Sequence, residues 1–317
     1  MDEKEVIISV DHLTKDYGYG RGVFDVSIKV HKGECYGYLG PNGAGKSTTI
    51  RHIMGFSKPT TGKISIFGIE SFGNTDKILA KVGYLPGEPA IPAGLDGMGF
   101  LRMMQDMRGE RNDERLNYLL DLFKLNPRVS VKSMSLGEKR KLAVVAAFMN
   151  DPDVLILDEP TSGLDPVMQQ IFIRFIIEEK NRGKTILLSS HIFSEVDATC
   201  DTISIIKDGK HVSTFKADDL KNNEVCTYRI RFQDLDNLNK FKTANNLQCE
   251  IVEENLDRLM LTIKINRKDY RHFFAFASQF KVKEFEEKPF TLQDYFMSFY
   301  KEEKTFGGLS GVEGNKK

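Results

Sequence analysis

The sequence predicts an α/β domain over residues 1–220, followed by a smaller α+β domain over residues 221–305. Three observations carry that reading. Strand-like and helix-like segments alternate through the first part. A glycine-rich loop at 40–48 lies between a buried strand and a helix. After Leu220 the elements follow the order β-α-β-β-α-β, that of a ferredoxin-like split unit. Residues 306–317, glycine-rich and polar, are expected to form a disordered tail.

Taken in order, an amphipathic opening at Val6–Val10 leads through Asp11–Gly22 into a strand at Val23–Val30. Glu34–Leu39 reads as a short buried strand and Thr48–Met54 as the helix after the glycine-rich loop. Further strands are expected at Lys63–Phe67 and Val82–Leu85. Between about 88 and 150 the strand signal vanishes. Phe100–Met107, Glu114–Phe123 and Gly137–Met149 carry apolar residues at helical spacing, which predicts a helical insertion. Strands return at Val154–Leu157, Thr185–Ser189 and Thr202–Lys207, and Asp208-Gly209 reads as a tight hairpin turn between two alternating runs. In the second domain Cys226–Phe232 reads as a strand, Leu235–Ala244 as a helix, Gln248–Glu254 and Arg258–Ile265 as a strand pair, Arg267–Phe280 as a helix and Val282–Glu287 as a strand. A last helix at Leu292–Lys301 carries Tyr295, Phe296, Phe299 and Tyr300, which either pack back on a domain or contact a partner.

The bulk properties exclude several classes. Lys plus Arg and Asp plus Glu number 45 each in the 317 residues, so no basic field points to nucleic acid, and none is expected as a partner. The longest apolar runs, Val154–Leu157 and Ile186–Leu188, are far too short to cross a bilayer. The charged start Met1-Asp2-Glu3-Lys4-Glu5 has no apolar region of a signal peptide behind it. Cys35, Cys200, Cys226 and Cys249 show no C-x-x-C spacing and read as buried or incidental thiols of a reducing compartment rather than metal ligands. The composition is that of a cytoplasmic protein, so membrane association has to come through a partner.

The chemistry centres on Gly40-Pro41-Asn42-Gly43-Ala44-Gly45-Lys46-Ser47-Thr48, a complete G-x-x-x-x-G-K-[ST] phosphate-binding loop. Its glycines let backbone N–H groups turn inward around a polyphosphate, and the helix N-terminus adds its dipole. Lys46 is placed to reach the β- and γ-phosphates, and the Ser47 hydroxyl to ligate Mg²⁺. Val154–Leu157 then runs directly into Asp158-Glu159-Pro160. A buried strand ending in two acids puts both carboxylates at the carboxyl edge of the sheet, where ligands bind in open α/β folds. Asp158 fits the Mg²⁺-side carboxylate and Glu159 the group that polarises an attacking water. His191, after the strand at Thr185–Ser189, either hydrogen-bonds a γ-phosphate or caps the turn that follows. Upstream, Ser135 and Gly137 in Met134-Ser135-Leu136-Gly137-Glu138 open a helix whose N-terminus is a second anion site. Two such helix starts cannot both reach one γ-phosphate within a monomer of this layout. An isologous dimer, each Ser135 loop covering the other subunit's nucleotide, is the economical solution. The basic trio Lys139, Arg140 and Lys141 reads as a solvated helix face.

Together these segments resemble the ATP-binding subunit of ABC transporters over about residues 5–215. Gly40–Thr48 matches the Walker A loop, Val154–Asp158 with Glu159 the Walker B run, Ser162–Asp165 the D-loop, and His191 the switch histidine. The resemblance implies a P-loop NTPase fold: a RecA-like core, an antiparallel β subdomain and a helical insertion. It implies ATP and Mg²⁺ as cofactors, catalytic roles for Lys46, Glu159 and His191, and adenine stacking on Tyr17, otherwise readable as a packed aromatic. It also implies a second nucleotide-binding subunit, identical or homologous, and an integral membrane permease that would dock on the 88–125 region. The chain would then lie on the inner face of the cell membrane.

Two departures from the family pattern stand out. The signature Leu-Ser-Gly-Gly-Gln appears as Met134-Ser135-Leu136-Gly137-Glu138, keeping Ser135 and Gly137. After Tyr84-Leu85-Pro86 the expected glutamine, a metal and water contact, is Gly87, which leads to the expectation that Glu88 takes the role by a one-residue shift. Both departures and the added C-terminal domain look like bacterial antibiotic- and bacitracin-type exporter ATPases, which work with a separately encoded permease. A soluble ATPase of the family acting without a permease, an importer ATPase and a regulatory module that binds ATP without hydrolysing it are the alternatives.

Overall fold

The computed structural model describes residues 5–221, 225–244, 249–288 and 291–297. The chain divides into two compact units, Met1–Ala217 and Asp218–Lys317.

In the first unit, β1 (Val6–Asp16), β2 (Gly22–His31), β3 (Cys35–Leu39), β4 (Thr61–Ile66), β5 (Ile69–Glu70), β6 (Val82–Leu85), β7 (Val154–Asp158), β8 (Thr185–Ser190), β9 (Thr202–Lys207) and β10 (Lys210–Lys216) form one curled mixed sheet in the order β5-β4-β1-β2-β10-β9-β3-β8-β7-β6. β1, β2 and β4 pair antiparallel, whereas β9, β3, β8, β7 and β6 are parallel neighbours. Every residue of β3, β7 and β8 is buried, as strands covered on both faces must be. β1 runs further than the expected Val6–Val10. It continues through register shifts after Val10 and Leu13, with His12 at φ 51°, because bulges absorb residues that break strict alternation.

The helical insertion comprises α3 (Gly97–Arg108), α4 (Asp113–Leu122) and α5 (Leu136–Phe148), numbered after α1 (Lys46–Ile53) and α2 (Thr75–Leu79). Local chemistry starts these helices. Asp96 accepts from the Gly99 N–H and Asn112 from the Arg115 N–H, each satisfying a donor that the first helical turn leaves unpaired. α6 (Pro166–Asn181) and α7 (Phe193–Thr199) complete the unit. α6 was not legible as a helix, although Asp165 caps it by accepting from the Val167 and Met168 N–H groups and proline stands at its first position. The thiols of Cys35 and Cys200 are both buried and stand 3.8 Å apart.

α8 (Ala217–Lys221) spans the boundary at Ala217. In the second unit β11 (Val225–Phe232), β12 (Glu250–Asn255), β13 (Met260–Asn266) and β14 (Val282–Lys288) form an antiparallel sheet in the order β12-β13-β11-β14. With α9 (Leu235–Ala244) after β11 and α10 (Tyr270–Ala277) after β13, this is the ferredoxin-like arrangement. Its core packs Ile230, Phe232, Leu238, Phe241 and Phe273. The end of the expected Arg267–Phe280 helix is shorter, and its start is a turn of 3₁₀ helix at Arg267–Asp269. Residues 292–297 are helical with Leu292 and Phe296 buried. Phe299, Tyr300 and the 306–317 tail lie outside the described residues.

Candidate active site

The topology decides where the chemistry gathers. β3, β8, β7 and β6 are consecutive parallel neighbours, so the loops at their carboxyl ends share one edge of the sheet. Those ends are the 40–48 loop, His191, Asp158-Glu159 and Pro86-Gly87. Segments more than a hundred residues apart thereby become adjacent.

The loop leaves β3 at Gly40 and enters α1 at Lys46. Gly45 caps α1 at φ 105°, and a Cβ there would lie 2.7 Å from Val23 Cγ1, so both backbone angle and space demand glycine. The Lys46 ammonium, 5% exposed, is drawn back over the loop. It donates to the carbonyls of Gly40 (2.6 Å) and Pro41 (3.0 Å) and lies 2.9 Å from Glu159 Oε1.

Asp158 ends β7 opposite Ser189 of β8, whose hydroxyl donates to Asp158 Oδ1 at 2.5 Å. Glu159 takes a left-handed conformation, φ 49°, unusual for a residue with a side chain and typical of functional sites. Its N–H donates to the Ser189 carbonyl at 3.1 Å, and its carboxylate is shared between Lys46 and His191, whose Nδ1 is 2.6 Å from Oε2. Lysine, carboxylate and histidine thus form a continuous chain of charge-assisted contacts.

A cleft of about 500 Å³ opens over this loop. Of the residues expected from sequence, Tyr17, Asn42, Gly43, Gly45, Lys46, Ser47, Thr48 and Glu159 line it. Gly40, Pro41 and Ala44 frame the loop from behind: the first two supply carbonyls to Lys46, and the Ala44 carbonyl accepts from the Gly209 N–H at 3.0 Å. Arg21 and the Asp208-Gly209 turn also line the cleft. Sequence reasoning found that turn but not its place here, because only the β9–β10 hairpin's docking on the loop brings it near.

Ser135 and Gly137 are not among the residues lining this cleft. Ser135 caps α5 in a reciprocal box: its hydroxyl accepts from the Glu138 N–H at 3.2 Å, while Glu138 Oε2 accepts from the Ser135 N–H at 2.8 Å. Glu138, the odd residue of the signature, is thereby explained as a cap. Its carboxyl is held below the usual range by the Ser135 backbone and hydroxyl bonds.

Two expectations need correction. Glu88 is exposed, and it is Gly87 rather than Glu88 that abuts Asp158, a Cβ there lying 3.1 Å from Oδ2. Successive side chains leave the backbone in different directions, so with Gly87 aimed at Asp158 its neighbour is not. Arg140 is not on a solvated face either: it is 2% exposed and hydrogen-bonded to backbone behind the carboxylates. The available signal was its register, since Arg140 shares helical spacing with buried Val144, Ala147 and Phe148.

Glu195 is the other buried carboxyl here. Burial pushes it up to about 7, the nearby Glu159 charge adds to this, and the 2.5 Å hydrogen bond from Ser190 works against it. A proton held more tightly in the fold stabilises it at low pH, and that stability is lost as pH rises from about 4.5 to about 7. Glu195→Gln, which mimics the protonated form, is expected to match the native chain near pH 5 and exceed it at pH 8 by on the order of 3 kcal/mol. Denaturant unfolding at the two pH values checks this; a margin independent of pH overturns it.

Fold and site together define a P-loop nucleotide triphosphatase. The comparisons with known proteins narrow the class. The family model described as ABC transporter matches residues 23–162. An uncharacterized ABC transporter ATP-binding protein of Bacillus subtilis is 31% identical over 305 residues, covering 92% of this chain and 96% of that protein. The bacitracin transport ATP-binding protein BcrA of Bacillus licheniformis is 38% identical over 218 residues, covering 68% and 71%. A solved ATP-binding cassette, dimeric and bound to ADP and Pi in a post-hydrolysis state, superposes with TM-score 0.59 at 21% identity over 67% of this chain and 99% of that one. The chain belongs to the ABC transporter family. It is an ATP-binding subunit of such a transporter, and an ATPase.

Proposed function

We propose that this subunit powers an exporter through ATP-driven dimerisation, closing with a second copy or a homologous subunit around two ATP·Mg²⁺. The observation that carries the reading is the separation of two anion sites. The phosphate loop lines the cleft, while the capped tip of α5, carrying Ser135 and Gly137, does not. A two-fold partner supplies the missing contact, each α5 tip closing the other subunit's cleft. The dimeric cassette similar in fold supports this, and the bacitracin transport relative supports export.

In the closed dimer Lys46 and the loop amides neutralise the γ-phosphate, and Tyr17 stacks on adenine. Glu159 orients a water in line with the bond to the leaving oxygen and accepts its proton. His191 holds that carboxylate and meets the γ-phosphate. The residues fit Mg²⁺, a hard cation held by one or two protein oxygens plus phosphates and waters. The Ser47 hydroxyl and Asp158 would hold it. Ser189 occupies Asp158 Oδ1, while Gly87 has no side chain to intrude on Oδ2, which a Cβ there would approach to 3.1 Å. Bound metal would offset the charge on the phosphate oxygens.

The membrane partner is a permease with a segment seated in an apolar groove of about 540 Å³ lined by Leu79, Tyr84, Ile91, Phe100, Met104 and Met107. Among the described residues no helix is long and apolar enough to cross a membrane. In this reading the groove holds the subunit to the inner membrane face through the permease. Met107, 77% exposed, is the residue to charge. Met107→Glu is expected to abolish co-purification with the permease and its stimulation of turnover, leaving basal turnover within about twofold. Unchanged stimulation overturns the docking site. A membrane protein with several spans encoded beside this subunit would be the partner to test.

A further inference from the structure

Arg140 lies one turn into α5, behind the carboxylates rather than in the cleft. Its guanidinium spreads over three main-chain carbonyls from two segments: Nη1 donates to Pro86 at 2.6 Å, Nε to Ser162 at 3.0 Å, and Nη2 to Glu159. Pro86 precedes Gly87 in the turn after β6, Glu159 is the water-polarising residue, and Ser162 opens the D-loop. One side chain therefore ties the head of α5 to the turn after β6 and to the 159–162 turn after β7.

The chemistry argues against a merely space-filling role. The charges of Asp158, Glu159 and Glu195 offset part of the cost of burying its guanidinium, but its hydrogen bonds go to neutral carbonyls, so charge alone does not account for their arrangement. What only arginine supplies is a rigid planar fork of donors that fixes the relative positions of several acceptors. Glu159 needs such fixing. Its φ of 49° is held only by its surroundings, with the N–H on the Ser189 carbonyl and the carbonyl shared by Arg140 and the Ser162 N–H at 3.1 Å. That backbone angle aims the carboxylate at Lys46 and His191.

We propose that Arg140 is a positioning residue for hydrolysis: it locks the Glu159 backbone in its productive angle and couples that angle to the D-loop, the turn after β6 and the tip of α5. The last link rests on the dimer reading above. Through it, a partner's nucleotide gripped by Ser135 sets the geometry of this subunit's own Glu159.

The test uses the full chain carrying Arg140→Gln and, separately, Arg140→Lys, with steady-state turnover, binding of a fluorescent ATP analogue and thermal unfolding measured on each. Arg140→Gln is expected to lower kcat by about 10²-fold, the usual cost of misplacing a catalytic group by an ångström. KM and analogue affinity stay within about twofold, because Arg140 does not line the cleft. Arg140→Lys, with its charge kept but the fork lost, falls between the two. Should Arg140→Gln not fold, the lysine variant decides alone. Turnover within about threefold of the native chain in the variant that decides overturns the proposal, as does a kcat loss matched by an equal loss of nucleotide affinity. Dimerisation of the Glu159→Gln chain with ATP is read separately. If it stays monomeric while Arg140→Gln is slow, the dimer reading and the cross-subunit link fall and the hold on Glu159 stands.

Discussion

Glu159→Gln is expected to lower ATP turnover by about 10³-fold while ATP-bound dimers accumulate. The substitution keeps shape and the hydrogen-bonding reach toward Lys46 and His191 but removes the anionic oxygen that takes a proton from water. Binding does not need that oxygen. In the proposed closed dimer the phosphate is neutralised by Lys46 and the loop amides, and the substitution leaves the adenine side of the cleft alone. The closed complex can form and cannot discharge. Light scattering on gel-filtered protein with ATP and Mg²⁺ measures the dimer, and phosphate release measures turnover. Native-like turnover in this variant removes Glu159 from the mechanism, and a strictly monomeric ATP complex removes the dimer.

Lys46→Ala strikes one step earlier. Lys46 is 5% exposed, its ammonium held by the Gly40 and Pro41 carbonyls with the Glu159 carboxylate 2.9 Å away, so it is fixed within the phosphate loop. A preorganised cation in a partly desolvated site is among the largest contributions to phosphoryl transfer, and losing one such group costs about 10²–10³-fold in turnover. Nucleotide affinity is expected to fall as well, because the proposed role has Lys46 meeting the phosphates in the ground state too. This separates Lys46→Ala from Glu159→Gln: the first lacks both binding and turnover, the second turnover alone. Equilibrium binding of a fluorescent ATP analogue to the two variants distinguishes them, and native-like affinity in Lys46→Ala sinks the assignment.

Much of the site was legible because its parts are local. The 40–48 loop needs its glycines at set places between a strand and a helix, and a buried strand that stops at two acids announces a sheet edge. The second domain was legible for a similar reason: β-α-β-β-α-β order with short connections admits few sheets. The misreadings have different physics. Gly87 rather than Glu88 abuts Asp158, because backbone direction, not residue type, decides which neighbour faces it. Arg140 was read as solvated because Lys139 and Lys141 flank it, yet helical geometry turns residue 140 inward while they remain less buried. Glu138 looked like a lost signature glutamine and is a capping partner of Ser135.

By itself the sequence determined the phosphate loop, the paired carboxylates and the two-part organisation, since each depends on residues adjacent in the chain. Tertiary structure alone decided that Lys46, Glu159 and His191 form one chain of contacts, that Gly87 rather than Glu88 faces Asp158, and that Arg140 clasps three carbonyls. The reason is physical: these contacts join the ends of parallel neighbours β3, β8, β7 and β6, and strand order across a sheet is set by packing of distant segments.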